Sequence, residues 1–240
     1  MKDTVKFEKR TTLTVAHRGL SGIEPENTAL AFTAAANRSY FGIETDIHRT
    51  ADGRFLLTHD DNTRRVTGME YVVEETPYDV LRALPLLDKG GATRENVRFA
   101  SLAEYIGICK KYGKVAVLEL KNVMRAEDIA EIVASIETLD YLEGVIFISF
   151  YMENLLHLRA IRPTQAAQFL TDDALTDELL ATLVEHRLDL DVYYKVLSEE
   201  WVQKLHAAGI RINVWTVDKP DVGETLAAWG VDFITTNILE

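Results

Sequence analysis

Short runs rich in Val, Ile and Leu alternate along the chain with longer stretches in which apolar residues recur at helical spacing. Runs of the first kind lie at 12–16, 42–47, 115–120, 145–150, 166–170, 189–193, 211–216 and 232–235. Stretches of the second kind lie at 28–39, 102–112, 126–139, 152–160, 177–186, 198–208 and 221–229. The strand candidates are apolar on both faces, the mark of buried parallel strands, and their alternation with helices predicts an α/β fold. Eight such strands suit a closed TIM-like (β/α)8 barrel, in which the residues that do chemistry stand at the C-terminal strand ends.

The rhythm breaks once. After the second strand a short further run at 54–58 follows the turn residues Ala51-Asp52-Gly53, and 60–100 then shows weak periodicity with Pro77, Pro85, Gly90 and Gly91. This segment, about 60–100, is expected to be a small insertion or lid, because long βα loops of a barrel lie at its catalytic face. No Ser/Gly linker, low-complexity tract or internal repeat appears, so 1–240 is expected to form a single barrel domain. Met69, Tyr71, Val72 and Val73 in the insertion either make its own small core, the reading preferred, or line a groove for an acyl chain.

Composition narrows the partners. Hydrophobic residues make up 47% and charged residues 27%, which excludes a disordered or fibrous chain. With 26 basic against 38 acidic side chains the net charge is −12, and no basic stripe interleaved with aromatics exists, so nucleic acid is not an expected partner. No run approaches the length of a membrane span, and residues 1–10 contain no apolar signal core; a cytoplasmic protein without stable membrane association is expected. Cys109 stands alone and reads as a small core residue. Oligomeric state has no signature here. An anionic substrate would be repelled by the whole-protein field, so its attraction has to come from a local site or a metal.

The predicted strand ends are polar. His17-Arg18 close the first, Glu44 and Asp46 sit on the second, His59-Asp60 end the run after it, and Glu119 with Lys121 ends the third. Glu44 and Asp46, two apart on a strand, share a face, and Glu119 stands at the same level next door. Three converging carboxylates require a cation, and their hard oxygens favour Mg²⁺ or Ca²⁺; the alternative is three separate acids with basic partners. His17 and His59 suit general acid and base roles, since imidazole titrates near neutrality. His48 either faces the mouth or caps its strand. Arg18 and Lys121 form an anion site or pair with the acids, and both roles can coexist. Trp215 can wall a pocket with its apolar face or simply fill the barrel end. His157, His186 and His206 fall in helices and read as structural. Ser149, Tyr193 and Lys195 have no base within their own motifs, and no glycine-rich phosphate or dinucleotide loop occurs.

Taken in order, Ala16-His17-Arg18-Gly19, Glu24-Pro25-Glu26-Asn27-Thr28, Gly42-Ile43-Glu44-Thr45-Asp46-Ile47, Leu57-Thr58-His59-Asp60, Leu118-Glu119-Leu120-Lys121, Val214-Trp215-Thr216-Val217 and Val231-Asp232-Phe233-Ile234-Thr235-Thr236-Asn237 resemble the glycerophosphodiester phosphodiesterase family. Each motif is weak alone; the ordered set is specific and spans nearly the whole chain. The resemblance implies a TIM-like barrel with a small insertion after the second strand. It implies a metal on Glu44, Asp46 and Glu119, acid/base catalysis by His17 and His59, phosphate held by Arg18 and Lys121, and cleavage of a small-molecule glycerophosphodiester to glycerol 3-phosphate and an alcohol. Two other readings stay open: cleavage of a lysophospholipid at the same site in the manner of a phospholipase D, and a barrel that binds without turnover. The insertion is short for the family, and Ile238-Leu239 stand where many relatives have a proline.

Overall fold

Strand β1 (Leu13–Ala16) pairs in parallel with β2 (Gly42–Arg49) on one side and with β11 (Phe233–Thr236) on the other, and this double pairing closes the sheet. The computed structural model describes residues 3–240. Going round from β2, the barrel continues through β6 (Val115–Leu120), β7 (Val145–Ser149), β8 (Ala167–Thr171), β9 (Asp189–Tyr193) and β10 (Ile212–Trp215) to β11, all parallel. A short strand β3 (Phe55–Leu57) turns back antiparallel on the end of β2. The run at 54–58 is therefore a spur outside the ring of eight.

Helices α1 (Ala29–Ala36), α4 (Leu102–Tyr112), α5 (Ala126–Thr138), α6 (Met152–Ile161), α7 (Asp177–His186), α8 (Glu199–Ala207) and α9 (Pro220–Trp229) connect successive barrel strands. Side-chain oxygens of Thr28, Ser101, Thr176 and Ser198 start four of them by accepting backbone N–H bonds, and Ser101 with Glu104 forms a reciprocal capping box. Their apolar stripes cover the outer face of the sheet. Phe32, Tyr105, Ile129, Leu155, Leu205 and Leu226 belong to this layer, with Cys109 buried among them. A smaller apolar set, including Val15, Val117, Ile146, Ile148, Leu170 and Phe233, forms a separate cluster contributed by the strands alone. Such a division into two layers is what parallel strands apolar on both faces require.

Between β3 and α4 lies the insertion, with α2 (Arg64–Thr67), α3 (Tyr78–Ala83) and the hairpin β4 (Leu86–Leu87) to β5 (Thr93–Arg94). It has its own core of Leu56, Val73, Tyr78, Leu81, Leu84, Leu86, Val97 and Phe99. Of the four apolar residues expected to make that core, only Val73 does so. Met69, Tyr71 and Val72 are 40%, 37% and 43% exposed, because the chain from Met69 to Val72 folds back along Thr63 as a surface loop. Among the described residues no helix is long and apolar enough to cross a membrane.

The bottom of the barrel is tied by Glu240. Its carboxylate accepts from Thr4 Oγ1 at 2.5 Å and from the Ser39 backbone N–H at 2.8 Å, with Lys6 Nζ at 3.1 Å. Burial alone would raise its pKa, but these donors outweigh burial and hold it at about 2. A depressed carboxyl pKa stabilises the fold above the ordinary Glu value of about 4.3, and the contribution is lost as pH falls towards the folded value. Glu240→Gln is therefore expected to cost about 2 kcal/mol at pH 7, with the gap from wild type narrowing in thermal melts below about pH 4. A gap of constant size down to that range would show that the carboxylate charge is not its source.

Candidate active site

The site is assembled from strand ends. Glu44 and Asp46, two apart on β2, project into the barrel, and the β2–β6 register sets Glu119 directly beside Asp46. All three are buried, and an oxygen from each lies within 4.8 Å of the others; they are the only such group of potential metal ligands among the described residues. Each is held by a donor. The Arg18 backbone N–H donates to Glu44 Oε2 at 2.7 Å, Asn27 Nδ2 donates to Asp46 Oδ2 at 2.9 Å, and Lys121 Nζ lies 2.8 Å from Glu119 Oε1. Asn27 is itself locked by Thr45 Oγ1, which donates to its Oδ1 at 2.7 Å.

Local backbone makes the first of these contacts. Arg18 sits at φ +54° and Gly19 at φ +76°, a left-handed pair that turns the chain sharply after β1. A Cβ on Gly19 would meet the Ala31 backbone at 2.7 Å, so only glycine permits the approach. Holding Arg18 in this region costs about 1 kcal/mol or more, and the strain occurs where its N–H meets Glu44.

Charge in the cluster does not balance. Burial, then the neighbouring Asp46 and Glu119 charges, push the Glu44 pKa well up, and burial with Asp46 lifts Glu119 to about 7. For Asp46 burial acts in the same direction, but Arg18 and Lys121 outweigh it and keep it ionised. Its Oδ1 is buried and has no hydrogen-bond donor. An unpartnered carboxylate oxygen between two carboxyls that hold protons for want of positive charge fits a hard divalent cation.

Two imidazoles flank this cluster with different support. His17 Nδ1 lies 2.8 Å from Asn237 Oδ1, while Asn237 Nδ2 donates to Asp218 Oδ2 at 2.6 Å. The Asp218 carboxylate thus fixes the amide orientation, which puts the His17 proton on Nδ1 and leaves the Nε2 lone pair towards Glu44, 4.0 Å away. Burial, followed by the nearby Arg18 charge, lowers the His17 pKa to about 4. His59 Nδ1 instead faces the Asp60 carboxylate at 2.7 Å. Burial opposes ionisation of Asp60, but hydrogen bonds from Arg65 and His59 hold it at about 2. Arg65 also grips Glu26, which binds Arg18, so a chain of ion pairs crosses the mouth from the insertion to the β1–α1 loop.

A cavity of about 80 Å³ opens among His17, Arg18, Glu44, His59, Glu119 and Trp215, with Phe150, Leu170 and Asp191 in its wall. Lys121 lines the adjoining depression with His59 and Glu119. The eight residues singled out in the sequence thus gather at one end of the barrel, with Asp46 behind the others. Trp215 packs edge-on to Phe150 at 5.6 Å and tilted against Tyr193 at 5.4 Å. His48 is buried, its Nε2 3.2 Å from the His59 carbonyl, so it supports the second imidazole and does not face the mouth. Ser149 donates to the Leu120 carbonyl, a structural contact. Sequence reasoning gave no role to Asn27, Arg65, Asp218 or Asn237, each of which has a partner distant in the chain, nor to Asp60, which pairs with the adjacent His59. Asp191 had a signal that went unread: a carboxyl in the middle of a buried strand.

The description of a known family fits this geometry. The model of the glycerophosphoryl diester phosphodiesterase family matches residues 17–240. The chain belongs to that family. It is 28% identical over 228 residues to the glycerophosphodiester phosphodiesterase of Caldanaerobacter subterraneus subsp. tengcongensis, covering 94% of each chain. It is also 28% identical to the Bacillus subtilis glycerophosphodiester phosphodiesterase over 247 residues, 94% of this chain and 83% of that one. A solved structure from Silicibacter pomeroyi superposes with a TM-score of 0.87 at 25% identity, over 95% of this chain and 90% of that one. An Oleispira antarctica phosphodiesterase, solved with its product sn-glycerol-3-phosphate, has the same fold, with a TM-score of 0.83 at 24% identity over 97% and 96% of the chains. Membership makes this chain a phosphodiesterase by family.

The raised carboxyls make a measurable demand on metal binding. A cation has to displace the protons that Glu44 and Glu119 retain, so roughly one proton should be released per ion near pH 7, and affinity should weaken as pH falls below 7. Calorimetric titration with Mg²⁺ or Ca²⁺ in buffers of different ionisation enthalpy measures this release. Heats independent of the buffer would show that the trio is not the ligand set.

Proposed function

We propose that the protein hydrolyses glycerophosphodiesters to glycerol 3-phosphate and an alcohol at this cavity, with Mg²⁺ or Ca²⁺ held by Glu44, Asp46 and Glu119 and with His17 and His59 transferring the protons. One observation carries the reading: two imidazoles, three buried carboxylates and two cationic side chains gather at the C-terminal strand ends, around one cavity and the depression adjoining it. The names of the curated relatives support the substrate class.

When bound, the divalent ion supplies electrophilic stabilisation of a phosphoryl oxygen. Arg18 and Lys121 add positive charge against the same anion, and the Arg18 Nε–H, 3.7 Å from Asp46 Oδ2, has no hydrogen-bond acceptor within the protein. His17, neutral and with its Nε2 lone pair directed to the cluster, is suited to take the proton of the nucleophile, whether water or the neighbouring glycerol hydroxyl. His59, oriented through Nδ1 by the Asp60 carboxylate, is suited to give a proton to the leaving alkoxide.

A lipid substrate is favoured by one observation, the exposure of Met69, Tyr71 and Val72 beside the catalytic face, where they could meet an acyl chain. Turnover of micellar lysophosphatidylcholine exceeding that of its deacylated analogue would establish that second reading.

The deciding experiment is release of glycerol 3-phosphate from glycerophosphocholine after chelation and after adding back Mg²⁺ or Ca²⁺. Metal-dependent release is expected; binding of metal and substrate with no release under any cation would leave a non-catalytic barrel. His17→Ala and His59→Ala should each lower kcat by about 100-fold or more with thermal stability retained, as loss of positioned proton transfer does. A near-normal rate in either variant removes that residue from the mechanism.

A further inference from the structure

The mechanism above leaves one buried acid unused. Asp191 stands in the middle of β9, 2% exposed, between Leu190 and Val192, which pack outward under the helices. Its own side chain lines the catalytic cavity. Among the described residues no basic group pairs with it, and its Oδ1 has no hydrogen-bond partner. Asn213, its register neighbour on β10, bonds Thr235, their side chains 3.0–3.1 Å apart, and its amide also acts on the Asp191 carboxyl, a lesser influence that leaves Oδ1 unmet. On the same cavity, the indole Nε1–H of Trp215 is also buried without an acceptor. Burial first, and then the Glu119 charge, drive the Asp191 pKa well up, so the group is an uncharged acid able both to give and to accept a hydrogen bond.

An unpartnered donor and an unpartnered acceptor on one cavity are costly unless a ligand completes them. Around them the wall is largely apolar, with Ile148, Phe150 and Leu170, and the hydroxyl of Thr235 there is already bonded to Asn213. Apolar walls with two polar points suit a short carbon chain bearing hydroxyls. A hydroxyl accepts from an indole and also bonds a carboxyl in either direction. An acyl chain leaves both polar groups unmet, and a quaternary ammonium has no proton to share with Asp191. Arg18 and Lys121, which follow β1 and β6, each stand three strands away from β9 round the barrel. The variable alcohol can face the broad depression of about 580 Å³ that His17 and Arg18 also line, together with Ser21, Lys89 and Asp218. The narrow interior cavity then receives the part common to all glycerophosphodiesters.

We propose that Asp191, with the Trp215 indole N–H, binds the free hydroxyls of the glycerol moiety and so selects glycerol esters among phosphodiesters. This inference rests on the glycerophosphodiester reading of the activity. The test compares binding of sn-glycerol 3-phosphate and of n-propyl phosphate, which has the same carbon chain and phosphate but no hydroxyls, by calorimetry with Mg²⁺ present. Wild type is expected to prefer glycerol 3-phosphate by about tenfold or more, the effect of leaving a buried polar group unpaired. Asp191→Leu should lose that preference by weakening glycerol 3-phosphate while propyl phosphate changes little, and Asp191→Asn, which keeps a donor and an acceptor, should retain it. Equal affinity of wild type for the two ligands overturns the proposal without any variant, and an equal loss for both ligands in Asp191→Leu overturns it in favour of a structural role. Either result leaves the activity reading intact when glycerophosphocholine is still cleaved. Absence of both cleavage and glycerol 3-phosphate binding in wild type instead overturns that reading, and this inference with it.

Discussion

Three carboxyl groups inside a barrel, with an oxygen from each within 4.8 Å of the others, are the constraint around which the rest of the site is arranged. At an effective dielectric of about 20, two like charges about 4 Å apart cost about 4 kcal/mol, so the trio cannot be fully ionised without compensation. The protein compensates in part. Lys121 and Arg18 hold Asp46 ionised, Asn27 and the Arg18 N–H satisfy single oxygens, and Glu44 and Glu119 keep proton affinity far above that of an exposed carboxyl. What the side chains leave undone, the Asp46 Oδ1 and the excess negative charge, is what the proposed divalent cation would complete.

The same economy appears in the two histidines. Both are anchored through Nδ1, yet one leans on an amide and the other on a carboxylate. An amide holds a ring in place without adding charge, whereas a carboxylate sets a full negative charge beside it, so equal residue types stand in unequal surroundings. Asp218 and Arg65 stand behind these contacts and fix which atom of Asn237 and which face of Asp60 the rings meet. The ion-pair chain through Arg65, Glu26 and Arg18 also fastens the insertion to the β1–α1 loop, which gives the small extra module a purpose at the mouth beyond covering β3.

Much of this was legible along the chain. Ranges predicted for the strands and helices of the barrel agree with the structure to within three residues at each end, because burial on both sheet faces writes a strong apolar signal and because Thr28, Ser101, Thr176 and Ser198 mark helix starts chemically. Strand periodicity put Glu44 and Asp46 on one face, and the motifs brought His17, Arg18, His59, Glu119, Lys121 and Trp215 to attention. The insertion was harder to read: its core draws on Leu56 from β3 and on Val97 and Phe99 from its far end, and the apolar run at Met69–Val72 lies on the surface.

Local pattern by itself determined the α/β class, the number of strands and the residues that stand at their ends, since periodicity and turn chemistry depend only on near neighbours. Tertiary structure decided which of those residues meet. The β2–β6 register sets Glu119 beside Asp46, closure of β1 onto β11 brings Asn237 to His17, and the enclosed barrel turns Asp191 from one carboxyl among many into a buried acid on a cavity wall. Those pairings span 73 to 220 positions of chain, and their energies depend on burial and register, quantities that exist only once the sheet has closed.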